Sequence, residues 1–245
     1  MRELPPDMAD RLIVALDVPS IAAARAMVDR LDGAVSFFKI GLWLAFAEGV
    51  DLLLRDLIGS GKKVFLDTKM YDIDRTVEEG VRRAADRGVS ILTVHGDRGI
   101  MEAAMKGKGA ASHLSIFAIS VLTSLDDAAL REMGYAKTAK ALIAMRARQA
   151  VAAGVDGLIA SAADNPDAIR RDAGSDRLLI GTPGIRGAAD AADDHARLAT
   201  PAAAIERGAD YLVVGRPIVA AADPAARARA IVAEMEQGRR KRLAG

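Results

Sequence analysis

The sequence contains no cysteine, almost no net charge and no long hydrophobic run. Without cysteine the chain has no disulfide, no thiolate ligand for a metal and no cysteine nucleophile, so we expect a protein of the reducing cytoplasm. Lysine and arginine number 34 against 33 aspartates and glutamates, which gives a formal net charge of +1. Because no basic stretch alternates with aromatic residues either, no nucleic-acid partner is expected.

Hydrophobic residues make up 51% of the chain but are spread over short segments. The longest uncharged stretch, residues 109–125, contains several serines and a histidine and falls short of a membrane-spanning helix. The first residues are polar and interrupted by Pro5 and Pro6, so no signal peptide is expected. A high apolar fraction with balanced charge predicts a folded protein rather than a disordered one.

Eight short runs rich in Val, Ile, Leu and Phe alternate with alanine-rich, charged stretches of helical period. We predict strands over residues 11–17, 36–41, 63–69, 90–96, 114–123, 157–161, 178–184 and 210–218. The first three helices are predicted over residues 21–31, 42–58 and 76–87. This alternation predicts parallel strands joined by helical crossovers.

Eight such units within 245 residues favour a closed barrel over an open sheet. No G-x-G-x-x-G follows the first strand, which argues against a dinucleotide-binding fold. The predicted fold class is therefore α/β, a single (β/α)8 TIM barrel. One domain is expected over residues 1–245, with an N-terminal extension at 1–10 and a basic tail at 238–245 at its periphery.

Polar residues end several of the predicted strands, and in a barrel the active site lies at the carboxyl ends of the strands. These residues are Asp17, Lys39, Asp67, Lys69, His95, Thr123, Gly215 and Arg216. Each alone also fits a structural role, such as a helix cap for Asp17 or a buried, hydrogen-bonded ring for His95. So many polar groups on one rim favour a functional site.

The sharpest motif is D-x-K-x-x-D, formed by Asp67, Lys69 and Asp72. Residues two apart on a strand point to the same face, so Asp67 and Lys69 are expected to project together into the barrel mouth. With Asp72 and Asp74 in the next loop, three carboxylates would surround one lysine and favour its ammonium form. That suits a proton donor better than a Schiff-base amine, although an ordinary ion-pair network has the same composition.

A second motif pairs glycines with arginines after the last two strands. GTPGIR ends at Arg186, and VVGRPI contains Gly215 and Arg216. Loops after strands 7 and 8 of a barrel commonly hold phosphate, because glycine permits close backbone approach and arginine supplies forked donors. Together the two loops predict a phosphorylated substrate.

The segment FLDTKMYDIDRT, residues 65–76, resembles the signature of the orotidine 5′-phosphate decarboxylase family. Further segments that resemble this family, in order, are ALDVP (15–19), FFKIG (37–41), SVLTS (120–124), GTPGIR (181–186) and VVGRPI (213–218). The resemblance implies decarboxylation of orotidine 5′-phosphate to UMP, a step of pyrimidine nucleotide synthesis. It implies no cofactor and no metal.

The resemblance also implies a role for each matching residue. Lys69, Asp67 and Asp72 would form the catalytic array, with Lys69 stabilising and protonating a carbanion at C6 of the pyrimidine. Asp17 and Lys39 would contact the ribose, Thr123 the pyrimidine edge, and Arg186, Gly215 and Arg216 the phosphate. A homodimer is implied, in which Asp72, Ile73 and Thr76 complete the site of the partner subunit.

The sequence departs from the family pattern at two positions. Asp74 stands where proline is common, and His195 stands where the family usually has a glutamine that contacts phosphate. Histidine can also donate a hydrogen bond to phosphate, but its shape and charge differ from those of glutamine.

Other readings of the same residues stay open. One is a magnesium-dependent sugar-phosphate decarboxylase or aldolase of a related barrel family, which shares the strand-3 carboxylate and lysine pattern. Another is a non-catalytic nucleotide-binding barrel. A further phosphate-binding barrel enzyme, such as an epimerase or an indole-pathway enzyme, is also compatible with the phosphate loops.

Overall fold

The computed structural model describes residues 4–186 and 199–244. In these ranges eight parallel strands pair in chain order, and β8 pairs with β1 to close a barrel. The strands are β1 (Leu12–Ala15), β2 (Phe37–Gly41), β3 (Lys63–Met70), β4 (Ile91–His95), β5 (Ser115–Ile119), β6 (Gly157–Ile159), β7 (Leu179–Thr182) and β8 (Tyr211–Val214). The predicted (β/α)8 barrel is confirmed.

Helices connect the strands and surround the barrel. They are α1 (Ile21–Arg30), α2 (Leu42–Ala45), α3 (Val50–Gly59), α4 (Asp74–Asp86), α5 (Arg98–Lys108), α6 (Asp127–Glu132), α7 (Ala139–Ala153), α8 (Pro166–Ala173), α9 (Pro201–Glu206), α10 (Arg216–Val219) and α11 (Pro224–Ala244). Ser20, Asp126, Thr138 and Thr200 each cap a helix by accepting a hydrogen bond from the backbone N–H three residues on. Among the described helices, none has the length and apolarity needed to cross a membrane.

The largest differences between the predicted and observed element boundaries concern three elements. The helix predicted over 42–58 is divided into α2 and α3, because Gly49 adopts φ +87° just before α3 begins. The strand predicted to reach Ile218 ends at Val214, since α10 begins at Arg216. The strand predicted to reach Thr123 ends at Ile119, and its last apolar residues lie in the following loop.

Inward-facing side chains alternate along each strand and fill the barrel interior. The buried residues of this inner cluster are Ile13, Ala15, Phe37, Phe65, Ile91, Phe117 and Val213. Two residues beyond Phe37 and Phe65, on the same face of the same strands, stand Lys39 and Asp67. The inner core therefore becomes charged towards the carboxyl end. Two larger apolar clusters lie between the strands and the surrounding helices.

A buried ion pair lies at the opposite, amino end of the barrel. Arg170 of α8 donates to the Asp210 carboxylate, to the carbonyl of Leu178 at 2.9 Å and to that of Gly208 at 2.8 Å. The Asp210 carboxylate also accepts from the Ile180 N–H at 2.7 Å. These bonds join α8 to the starts of β7 and β8, which is a structural role.

The C-terminal helix is attached to the same end of the molecule. The basic segment at 238–244 continues α11, and the Arg242 guanidinium contacts both carboxylate oxygens of Asp167, at 2.6 and 2.9 Å. A Cβ at Gly238 would lie 2.3 Å from the Ala202 carbonyl oxygen, so α11 needs glycine there to pack this closely on α9. The assignment of residues 1–10 and 238–245 as peripheral stays a prediction.

We predict that Asp210→Ala destabilises the fold, because it removes the fully buried carboxylate that pairs with Arg170 and leaves only the partly exposed Asp167 as its carboxylate partner. Breaking one side of a buried ion pair costs about 3–5 kcal/mol, measurable as the free energy of unfolding in urea. The control is Asp172→Ala, an exposed change on α8, the helix that carries Arg170. Its free energy of unfolding should stay within about 0.5 kcal/mol of wild type. Equal, small losses for both variants would contradict the structural role.

Candidate active site

A cavity of about 330 Å³ opens at the carboxyl ends of the strands. It brings together eight of the residues that the sequence singles out: Asp17, Lys39, Asp67, Lys69, Thr123, Arg186, Gly215 and Arg216. Its remaining lining is largely apolar and includes Phe65, Ile119, Val121, Leu122, Ile159 and Val213. A charged rim over an apolar floor is a suitable environment for a flat ring that carries polar substituents.

Four charged side chains form a row of alternating sign across this cavity. The Lys39 Nζ lies 3.1 Å from Asp17 Oδ1 and 3.4 Å from Asp67 Oδ2. The Lys69 Nζ donates to Asp67 Oδ1 at 2.9 Å. Asp67 thus lies between two ammonium groups, and its side chain is only 12% exposed, against 43% for Lys69. Of the two cations in this row, Lys69 is the more accessible.

The electrostatic environment of Asp67 keeps it ionised. Burial on its own raises the pKa of a carboxyl, but here the Lys39 and Lys69 ammonium groups, with hydrogen bonds from Lys69 and Thr93, hold the pKa of Asp67 below its ordinary value of 3.8. An anion is therefore fixed next to Lys69 at neutral pH.

An irregularity in β3 places these two residues. Leu66 pairs with Leu92 and Met70 with Val94, so three residues of β3 lie opposite Thr93 alone. Lys69 has φ +49°, a left-handed conformation that is uncommon for a residue with a side chain and concentrates at functional sites. The Thr93 hydroxyl donates to Asp67 Oδ1 at 2.8 Å and accepts from the Lys69 N–H at 3.0 Å.

The loops after β7 and β8 form the opposite wall of the cavity. Pro183, Gly184 and Arg186 come from the first loop, and Gly215 and Arg216 from the second. Both predicted arginines therefore lie at one cavity, on the side away from Lys69 in the strand order. His195, the other predicted phosphate contact, lies outside the described residues.

Three predicted site residues do not line the cavity of their own chain. The Asp72 carboxylate accepts from the backbone N–H of Ile73 at 2.7 Å, while the Ile73 side chain is 73% exposed and Thr76 is exposed on α4. The expectation of three carboxylates around Lys69 is therefore wrong for one chain: in the part of the chain that is described, its ion-pair partner is Asp67. The Asp72 carboxylate instead contacts the backbone of its own loop, and Asp74 begins α4.

Sequence reasoning missed several residues that shape the site. A Cβ at Gly41 would lie 3.0 Å from Asp17 Oδ1 and 3.2 Å from Lys39 Nζ, so only glycine leaves this ion pair undisturbed. None of the motifs includes Thr93. Ile91, Thr93 and His95 are spaced two residues apart on β4 and so share one face, as Phe65 and Asp67 do on β3. This two-residue spacing is the sequence signal from which the inward-facing position of Thr93 and of the apolar floor could have been predicted.

The chain is similar to known proteins over most of its length. The profile of the orotidine 5′-phosphate decarboxylase / HUMPS family matches residues 10–231. Orotidine 5′-phosphate decarboxylase of Methylobacterium radiotolerans is 51% identical over 229 residues, covering 94% of this chain and 97% of that protein. The enzyme of the same name from Caulobacter vibrioides is 52% identical over 227 residues, with 92% and 97% covered. The crystal structure of the Lactobacillus acidophilus enzyme of that name superposes with a TM-score of 0.81 at 32% identity, over 92% of this chain and 99% of that chain.

We predict that Asp67 makes stability depend on pH at the acid end of the range. Because its pKa is lower in the folded state than the ordinary 3.8, the ionised group stabilises the fold above that value, and this contribution is lost as the pH falls through the folded pKa. Urea unfolding of wild type and Asp67→Asn should therefore differ by a constant amount near neutrality and converge below about pH 3.8. Asp176→Asn, an exposed change, is the control. A difference that grows as the pH falls would contradict the assignment.

Proposed function

The chain belongs to the orotidine 5′-phosphate decarboxylase / HUMPS family, and we propose that it decarboxylates orotidine 5′-phosphate to UMP in pyrimidine nucleotide synthesis, as a carboxy-lyase. The observation that carries the proposal is the Lys69 ammonium, paired with a buried Asp67 carboxylate above an apolar floor. Relatives 51% and 52% identical over more than nine-tenths of the chain carry the decarboxylase name, which disfavours the magnesium-dependent sugar-phosphate enzymes.

The chemical problem is the electron pair left on C6 of the pyrimidine. When the bond from C6 to the carboxylate breaks, CO₂ leaves and the pair stays in the plane of the ring, where the π system cannot delocalise it. A fixed cation next to C6 stabilises this charge as it develops, and preorganised electrostatics of this kind is commonly the largest catalytic term. Lys69 Nζ then gives one proton to C6 and recovers one from solvent.

Asp67 contributes by its fixed position and charge. Its Oδ1 accepts from Lys69 and its Oδ2 faces Lys39, so neither oxygen can turn away without losing an ammonium partner. This arrangement orients the Lys69 Nζ. In the proposed complex the substrate carboxylate lies near Asp67, and it is lost as neutral CO₂.

The rest of the cavity binds the parts of the substrate that do not react. Asp17 and Lys39 suit ribose hydroxyls because a carboxylate accepts and an ammonium donates. Arg186 and Arg216 suit the phosphate dianion, with Gly215 allowing close approach, and Thr123 lies at the cavity for the pyrimidine edge. Binding energy from the remote phosphate serves catalysis when it assembles the charged array around the ring. A phosphate contact by His195 stays a prediction.

We further propose a homodimer in which each site is completed by the partner. Asp72, Ile73 and Thr76 lie outside the cavity of their own chain, as a residue that serves another chain would. Large apolar side chains in the segments that follow β2 and β3, helix α2 included, are also exposed: Leu42, Trp43, Phe46, Tyr71 and Ile73, with Phe46 83% exposed. Exposed apolar side chains next to an incomplete site fit a second copy of this chain better than water.

Location and other partners stay predictions. The cytoplasm is expected from the lack of cysteine, and neither nucleic acid nor membrane is an expected partner.

The proposed reaction predicts that chelator-treated protein consumes orotidine 5′-phosphate, seen as loss of the orotate absorbance. Lys69→Ala should lower kcat by at least about a hundredfold, because general acid catalysis alone contributes about 10²- to 10⁴-fold. Lys62→Ala, which removes a lysine paired with Asp32 before β3 starts, should leave kcat near wild type. Full activity of Lys69→Ala, or an inactive wild type, would overturn the proposal.

A shared site predicts complementation between two inactive variants. In a mixed dimer of Lys69→Ala and Asp72→Ala chains, one of the two sites has both residues intact. Random exchange of equal amounts should therefore restore about a quarter of the wild-type activity. A mixture of Lys69→Ala and Asp67→Ala is the matched control and should restore nothing, since both changes lie in the same barrel cavity. Equal recovery from both mixtures, or none after exchange is verified by tagged chains, would refute the shared site.

A further inference from the structure

Thr93 is a buried polar residue at the centre of β4 whose side chain serves two groups of β3. It is fully buried, and its hydroxyl acts both as a hydrogen-bond donor and as an acceptor. The hydroxyl donates to Asp67 Oδ1 at 2.8 Å and accepts from the Lys69 backbone N–H at 3.0 Å. Its backbone carbonyl lies 3.4 Å from the Thr68 hydroxyl. One residue of β4 thus contacts three consecutive residues of β3.

The irregular pairing of β3 with β4 explains why a hydroxyl is needed at this position. Regular pairing stops at Leu66 and resumes at Met70, so the Lys69 N–H has no place in the regular ladder. A buried N–H without an acceptor is costly, and Thr93 supplies that acceptor from a side chain. The same hydroxyl hydrogen remains available for the Asp67 carboxylate.

We propose that Thr93 is a positioning residue for the decarboxylation: its hydroxyl couples the carboxylate orientation of Asp67 to the left-handed backbone of Lys69 and so sets the direction of the Lys69 ammonium towards the substrate. Thr93 is fully buried and does not line the cavity, so its proposed effect is exerted through Asp67 and Lys69. The inference rests on the proposed function, because it concerns the placement of the two groups that act on C6.

The chemistry of the side chain distinguishes this role from simple packing. Valine has nearly the same shape as threonine but neither donates nor accepts, whereas serine keeps the hydroxyl and loses a methyl group. If Thr93 only fills space, valine is the better substitute. If the hydroxyl positions Asp67 and Lys69, serine is the better substitute.

The experiment compares Thr93→Val and Thr93→Ser with wild type in steady-state assays on orotidine 5′-phosphate. Thr93→Val should lower kcat about 10- to 100-fold, the range found when a group that orients an active-site residue is removed. The KM, and the Kd of UMP measured by calorimetry, should change less than about threefold, because the ribose and phosphate contacts are untouched. Thr93→Ser should keep kcat within about threefold of wild type.

Ser90→Ala is the matched control. Ser90 directly precedes β4 at the amino end of the barrel, and its hydroxyl accepts a hydrogen bond from the Val64 N–H of β3 at 3.3 Å. The change removes a side-chain bond between the same two strands but none to the charged row, so kcat and KM should both stay near wild type. A loss of kcat in Ser90→Ala as large as in Thr93→Val would show that any lost bond between β3 and β4 disturbs the barrel, and would overturn the inference.

The remaining outcomes are also decisive. Wild-type kcat in Thr93→Val, or a loss in Thr93→Ser of tenfold or more, would overturn the inference while leaving the proposed function intact. If Thr93→Val does not fold, Thr93→Ala replaces it with the same expected fall in kcat, and Thr93→Ser remains the test of the hydroxyl. Wild-type protein that does not consume orotidine 5′-phosphate would instead overturn the proposed function, and this inference with it.

Discussion

The site depends on one interaction, the pairing of the Asp67 carboxylate with the ammonium groups of Lys39 and Lys69. A buried carboxylate is costly unless it is paired and hydrogen-bonded, and here two cations and one hydroxyl meet that cost. The same pairing holds Lys69 at one place beside the cavity floor. The same contacts therefore satisfy both charge balance and the geometry that the proposed reaction requires.

The barrel divides structural and functional charges between its two ends. At the amino end, Arg170 and Asp210 are almost fully buried and contact backbone groups of neighbouring strands, so their charges serve the fold. At the carboxyl end, the charged row is open to the cavity on the side of Lys69. Apolar residues such as Phe65 and Phe117 fill the barrel between the two ends. This layer keeps the functional charges away from those that stabilise the barrel.

The cavity of a single chain holds the apolar floor, the charged row and two arginines, but its lining does not include Asp72, Ile73 or Thr76. The Asp72 carboxylate contacts the backbone of Ile73, and Ile73 is exposed, as are Trp43 of α2 and Phe46 just after it. In the proposed homodimer, a second copy that covers these apolar side chains would both stabilise the assembly and bring Asp72 to the charged row. Assembly and activity would then depend on the same surface.

The sequence by itself determined the barrel and the charged residues that line its cavity. Apolar runs of strand length that alternate with helical stretches left few alternatives for the fold, and a polar residue at the end of a barrel strand has to lie at the common rim. Asp17, Lys39, Asp67 and Lys69 were therefore predictable from their positions alone. Only the tertiary structure decided how these residues meet. The shifted pairing of β3 with β4 depends on contacts between strands, and so do the left-handed backbone of Lys69 and its hydrogen bond to Thr93. A local pattern of residues carries no information about register with a neighbouring strand.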